Sequence, residues 1–202
     1  MFLDRDGVLN EEVGFISDSS GLRVLPGVAE ALRSLASTYR LVVVTNQSGI
    51  ARGLYTEEDL LAVNEELARR LAEDEAFLDA IYYCPHLTEG SVPQYSIECE
   101  CRKPKPGMLL RATKDLGISL RGSYMVGDTI RDVQAATAAG IKGIIIGETA
   151  TNRPEGVLAA ASLPDAAELI LNSLTSGSEV QTDNERMSAE PISAVVQRGE
   201  LA

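Results

Sequence analysis

The sequence predicts a three-layer, Rossmann-like α/β domain with a mainly parallel central sheet. Three observations point there. Apolar runs of strand length recur along the chain, each followed by a segment with helical spacing, the alternation that parallel strands and their crossover helices leave behind. The length, 202 residues, suits one domain with a remainder, since a single core organises about 100–200 residues. The composition, 45% hydrophobic and 24% charged, can fill such a core.

The strands expected in order are Met1–Leu3, Leu41–Val44, Ala80–Tyr83, Ser123–Val126 and Gly143–Ile146, a five-strand core sheet. The first is short, because Asp4 follows directly. Pro26 suits the first turn of a helix whose Val28, Leu32 and Leu35 share one face. Thr56 and Asp59 read as a capping box opening a helix that carries Leu60, Val63, Leu67 and Leu71. Further helices are expected from about Pro106 to Leu116, stopped by Gly117, and from Thr129 to Ala139, stopped by Gly140. From about Thr175 the chain turns to Ser, Gly, Glu, Gln, Asn and Asp, too polar to offset the entropy of ordering. The expectation is a domain over 1–174 and a disordered tail over 175–202, with Ile192–Val196 as the one apolar patch in it. No internal repeat is visible.

A net charge of −12 without a Lys/Arg stripe argues against nucleic acid as a partner. No apolar run reaches the roughly 18–20 residues of a membrane helix, and no export signal is apparent, so a soluble cytoplasmic protein, monomeric and without a membrane partner, is expected.

In open parallel sheets ligands bind beyond the carboxyl ends of the strands, where the polar residues following each apolar run converge. Those residues are Asp4-Arg5-Asp6-Gly7, then Thr45-Asn46-Gln47-Ser48-Gly49, then Gly127-Asp128-Thr129. Asp4, Asp6 and Asp128 would form a hard oxygen cluster suited to Mg²⁺, which prefers one or two carboxylates together with water and phosphate. Lys103, in Cys101-Arg102-Lys103-Pro104-Lys105-Pro106-Gly107, precedes a helix and would aim a cation at the same crevice. A phosphoryl group undergoing transfer needs such a charge opposite the metal. A polar turn at Asp4–Gly7 and an exposed loop lysine at 103 are the plainer readings of each motif taken alone.

Together, Asp4-x-Asp6-Gly7, Thr45-Asn46, Lys103-Pro104 and Gly127-Asp128-x3-Asp132 resemble the haloacid dehalogenase (HAD) superfamily of phosphotransferases. Three longer strings, FLDRDGVLN at 2–10, VVVTNQSGIARG at 42–53, and IYYCPHLTEGSV with the later CRKPKPGM within 81–108, are similar to the bacterial heptose 1,7-bisphosphate phosphatases. Histidinol-phosphate phosphatases share most of them. The resemblance spans about residues 1–175 and implies a fold without a large cap. It implies Asp4 as the nucleophile that forms an aspartyl-phosphate and Asp6 as general acid, then base. Mg²⁺ would be held by the Asp4 carboxylate, the Asp6 carbonyl and the Asp128 carboxylate. Thr45 and Lys103 would hold phosphoryl oxygens, with Asn46, Gln47 and Ser48 around them, and Arg102 would contact the substrate. Glu12, Val13, Gly14 and Phe15 would line the entrance. Asp132 would orient metal-bound water or cap Thr129. One departure stands out: the resembling enzymes carry a lysine after the metal aspartate where this chain has Thr129, so substrate charge would be met by Arg131 or Lys105, or specificity differs.

The three cysteines and the single histidine all fall between Cys84 and Cys101. Random placement would do this only about three times in a thousand. Cys84-x-His86 and Cys99-x-Cys101 supply a complete Cys3His set for structural Zn²⁺, closing a loop that has little apolar content. The alternatives are a Cys99–Cys101 disulfide, strained by its one-residue loop, or buried free thiols. The function expected is Mg²⁺-dependent removal of the 7-phosphate of a heptose 1,7-bisphosphate, feeding nucleotide-activated heptose for cell-surface polysaccharide. Histidinol phosphate as substrate is the first alternative; a non-catalytic zinc-stabilised binding domain is the second.

Overall fold

The computed structural model describes residues 1–147, 150–151, 153–176 and 195–198. Its strands are β1 (Phe2–Leu3), β2 (Val42–Asn46), β3 (Ala80–Cys84), β4 (Tyr124–Gly127), β5 (Lys142–Ile146), β6 (Leu158–Ala160) and β7 (Val195–Arg198). The helices are α1 (Val28–Ala36), α2 (Glu57–Glu73), α3 (Gly107–Leu116), α4 (Ile130–Ala138) and α5 (Leu163–Ser176). Every strand pair is parallel, in the order β6-β5-β4-β1-β2-β3-β7.

Alternation along the strands sends side chains to opposite faces. Leu3, Val43, Ile81, Val126 and Ile144 pack with the apolar stripes of α1, α2 and α5. Phe2, Val42, Val44, Ala80, Tyr82 and Met125 pack with α3 and α4 on the other face. A smaller cluster of Ile50, Ala51, Tyr55, Leu60, Tyr83 and Tyr95 lies under the loops. Burial on both faces is why these strands read as nearly continuous apolar runs.

The capping box at Thr56 and Asp59 is present, and Gly117 ends α3 in the left-handed conformation, φ 61°. Three points differ from expectation. Helix α1 begins at Val28, because Gly27 takes φ 75° as its N-cap and leaves Pro26 outside. Among the described residues the sheet has seven strands where five were expected. The additions β6 and β7 are short edge strands held by main-chain pairing, which leaves little trace in side-chain pattern. Of the segment expected to be a disordered tail, α5 runs through to Ser176, and Val195–Arg198, overlapping the apolar patch, pairs with β3 from Ala80 to Tyr83. The remainder, 177–194 and 199–202, lies outside the described residues.

With β1 at the centre, the chain first builds outward through β2 and β3, then returns to the other side of β1 with β4. That reversal opens a crevice at the carboxyl ends of β1, β2 and β4. Phe2 and Leu3 stand opposite Val42 and Val43 on one side and Met125 and Val126 on the other. Continuing this register sets Asp4 level with Val44 and Gly127, with Thr45 and Asp128 one residue beyond.

Candidate active site

The Asp4 main-chain N–H donates to the Val126 carbonyl at 2.9 Å, so the carboxylate leaves the sheet just where β1 ends. Its Oδ1 accepts from the Arg5 N–H at 2.7 Å, and its Oδ2 lies 2.9 Å from Lys103 Nζ. Lys103 Nζ is also 2.6 Å from Asp132 Oδ1, and both Lys103 and Asp132 are fully buried. Asn46, at the end of β2, positions the lysine: its Nδ2 donates to the Lys103 carbonyl and its Oδ1 accepts from the Lys103 N–H, each at 3.0 Å. The Lys103–Pro104 peptide is cis. Asp132 Oδ2 accepts from the Thr129 N–H at 3.0 Å and from the Thr129 hydroxyl at 2.6 Å, a capping box at the start of α4. Asp132 therefore both caps α4, one of the two roles the sequence suggested beside orienting metal-bound water, and pairs with Lys103, which the sequence did not suggest.

Close approach accounts for two glycines. At Gly7, φ is +76° and a Cβ would meet Asp128 Oδ2 at 2.2 Å, so the turn after Asp6 admits no side chain. At Gly127 a Cβ would meet the Asp132 Cβ at 2.2 Å.

The result is a small open cleft of about 80 Å³. Asp4, Asp6, Thr45, Asn46, Lys103 and Asp128 line it, joined at the rim by Glu12, Thr129, Arg131 and Asp132. Negative charge is crowded there. Burial pushes the Asp4 carboxyl up to about 8, against the pull of Lys103 and with help from Asp132 and Asp6. Burial, then Asp132, pushes Asp128 up to about 6. Lys103 loses hydration, yet Asp132 and Asp4 outweigh that loss and hold it above its ordinary value. Asp132 is held below the usual carboxylate range because Lys103 and Thr129 prevail over burial.

This donor set fits a hard divalent cation. Carboxylate oxygens of Asp4, Asp128 and Asp132 lie within 4.8 Å of one another. Asp132 is committed to Lys103 and Thr129, which leaves Asp4 and Asp128 to offer oxygens. Lys103 Nζ pairs closely with Asp4 and Asp132, and an ammonium group has three N–H donors, so one is left for an anionic ligand.

Of the other residues singled out in the sequence, Gln47 lies buried behind the cleft. Its Nε2 donates to Asp6 Oδ2 at 2.8 Å and to Thr45 Oγ1 at 2.9 Å. Ser48 is half-buried, and neither it nor Arg102 lines the cleft. Arg102 donates to the His86 carbonyl at 3.2 Å. Glu12 reaches the rim while Val13, Gly14 and Phe15 are exposed beside it. Lys105 pairs with Glu98 and Glu100, 3.1 and 2.9 Å away, so of the two cations considered as substitutes at Thr129 only Arg131 borders the cleft.

Cys84, His86, Cys99 and Cys101 converge beside it. Their Sγ atoms are 3.2 Å (Cys84–Cys101), 3.4 Å (Cys99–Cys101) and 3.6 Å (Cys84–Cys99) apart, and His86 Nδ1 is 3.3 Å from Cys101 Sγ and 3.7 Å from Cys84 Sγ. Tetrahedral zinc with bonds of about 2.3 Å has ligand–ligand edges of about 3.8 Å. All three cysteines are free, so no Cys99–Cys101 disulfide is present. The hydrogen bond to Cys101, opposed by that to Cys99 and helped by burial, pushes the Cys84 thiol up to about 12.

A family model described as HAD-hydrolase-like matches residues 100–176. The chain is 46% identical over 175 residues to the D-glycero-β-D-manno-heptose-1,7-bisphosphate 7-phosphatase of Yersinia pestis, covering 86% of this chain and 90% of that one. The Escherichia coli (strain K12) enzyme of the same name is 43% identical, with 86% and 88% covered. Among solved structures, D,D-heptose 1,7-bisphosphate phosphatase from B. bronchiseptica, complexed with magnesium and phosphate, superposes with a TM-score of 0.76 at 34% identity, covering 86% of this chain and 98% of that one. The chain belongs to this family of HAD phosphatases. Asp4 at the end of β1, Lys103 before α3 and Asp128 at the end of β4 stand together in the cleft, and the relatives that match over most of their length are named phosphatases. The non-catalytic alternative is therefore set aside. Among the described residues no helix is long and apolar enough to cross a membrane.

Proposed function

We propose that this phosphatase removes the 7-phosphate of D-glycero-D-manno-heptose 1,7-bisphosphate, acting as a cytoplasmic monomer. The observation that carries the chemistry is the meeting of Asp4, Thr45, Lys103 and Asp128, from four separate stretches of chain, in one small cleft. The heptose assignment is supported by the names of the relatives. The proposed place in metabolism is the supply of heptose for nucleotide activation.

Asp4 attacks phosphorus while the bond to the sugar oxygen breaks and Asp6 gives that oxygen a proton. Water, deprotonated by Asp6, then attacks the aspartyl-phosphate, releasing inorganic phosphate and restoring Asp4. Lys103 and the Thr45 hydroxyl hold the phosphoryl oxygens on which charge accumulates. Asp4, the Asp6 carbonyl and Asp128 are the proposed holders of Mg²⁺, which when bound screens the nucleophile from the phosphate and neutralises developing charge. The four Cys and His side chains are the proposed holders of a structural Zn²⁺.

The test is the initial rate of phosphate release, with Mg²⁺, from the two heptose 1,7-bisphosphate anomers and histidinol phosphate. A preference in kcat/KM of about 100-fold for a heptose bisphosphate, near 2.7 kcal/mol, is expected. Comparable slow rates on all three remove the heptose assignment and direct attention to Thr129. An Asp4→Asn variant with the parent rate removes the nucleophile assignment.

A further inference from the structure

Arg5, between the two strand-end aspartates, is buried without lining the cleft. Arg5 is 1% exposed, and a guanidinium withdrawn from water costs several kcal/mol unless its partners compensate. Those partners are specific. Its Nε donates to Asp6 Oδ1 at 3.1 Å, its Nη2 reaches both Asp6 oxygens at 3.0 Å, and its Nη1 donates to Asn64 Oδ1 on α2 at 3.0 Å. Adjacent side chains of an extended strand point apart. Here the Arg5 carbonyl accepts from the Leu9 N–H at 2.8 Å and the Asn10 N–H at 3.2 Å, and the tight turn brings Arg5 and Asp6 side by side. Two further donors converge on the same carboxylate, Asn10 Nδ2 at 2.9 Å and Gln47 Nε2 at 2.8 Å, and the Tyr55 hydroxyl holds Gln47 Oε1 at 2.6 Å.

We propose that Arg5, anchored to α2 through Asn64, is a positioning residue that fixes the direction in which the Asp6 carboxylate faces the leaving oxygen. Arg5 does not line the cleft, whereas Asp6 does. An aspartate side chain left to itself samples several staggered conformers. A planar fork, itself gripped at its far end, selects one, and a misplacement of about 1 Å in a reacting group costs on the order of 100-fold in rate. Lysine could keep the charge but not the fork. The inference rests on Asp6 being the acid–base group.

The experiment compares two leaving groups. A sugar alkoxide needs a proton as it departs; p-nitrophenolate does not. Values of kcat/KM, which report formation of the aspartyl-phosphate, are measured for the better alkyl phosphate of the panel above and for p-nitrophenyl phosphate. Arg5→Lys is expected to lower the first at least about 30-fold and the second by less than about threefold. A proportional loss on both substrates, the signature of a merely structural role, overturns the proposal, as does no loss on either. Asp6→Asn is the control. If it treats both substrates alike, the acid–base reading fails and this inference with it; if it discriminates while Arg5→Lys does not, only the role of Arg5 falls. Should Arg5→Lys fail to fold, Asn64→Ala decides: about a tenfold loss confined to the alkyl phosphate upholds the anchoring, and equal treatment of the two substrates ends it.

Discussion

At the scale of single residues, the site is organised by one buried lysine among three carboxylates. Lys103 is shared between Asp4 and Asp132, and Asp132 is tied to Thr129, so the lysine is aimed without being neutralised by Asp4 alone. Asp132→Asn removes the buried partner. Breaking such a pair costs about 3–5 kcal/mol, and the freed lysine closes on Asp4. The expected outcome is a lower thermal midpoint together with a kcat reduced more than KM, read by thermal unfolding and steady-state kinetics; a parent-like kcat refutes this role. Asp4, Asp6, Lys103 and Asp128 were legible because each sits at a strand end or beside prolines with a recognisable spacing. The ion pair between Lys103 and Asp132 was not, since no spacing rule links a residue of the loop before α3 to one in the first turn of α4.

At the scale of elements, local chemistry was the most legible. The capping box of α2 and the glycine stop of α3 depend only on residues within one turn. The start of α1 was misplaced because Gly27 takes a backbone conformation that the neighbouring proline does not announce. Segment 84–101 is an element of another kind, a loop whose ends carry the four Cys and His side chains and lead directly into Arg102 and Lys103. Cys99→Ser, or chelation verified by metal analysis, is expected to lower both thermal stability and phosphatase activity, because loop and lysine are continuous chain. Full activity after verified zinc loss defeats that link.

For the molecule as a whole, the sheet order decides where charge gathers. Asp4 and Asp128 come from adjacent strands, and burial raises them to about 8 and about 6. A carboxyl raised in the folded state binds more protons there than when unfolded, so its contribution to stability falls as pH rises from about 4 toward 8. Mg²⁺ held by these carboxylates would displace those protons, so the rise in thermal midpoint at a fixed Mg²⁺ concentration is expected to be larger near pH 8 than near pH 5. A pH-independent rise contradicts this. The residues lining the cleft all precede α5, and among the described residues β7 pairs with β3 alone. A chain ending at Ser176 is accordingly expected to keep its turnover, measured on the preferred substrate, while its β3 edge amides exchange faster with solvent.

The sequence by itself determined the fold class, the five inner strands, the strand-end carboxylates Asp4, Asp6 and Asp128, and the Cys3His set. Each is written in local periodicity or in motifs at strand ends, and local rules suffice to read them. Tertiary structure alone decided the edge strands β6 and β7, the sharing of Lys103 between Asp4 and Asp132, the withdrawal of Gln47 behind the cleft, and the grip of Arg5 on Asp6. These depend on which residues become neighbours once the sheet is assembled, and both the desolvation and the Coulomb attraction that govern them arise only on burial.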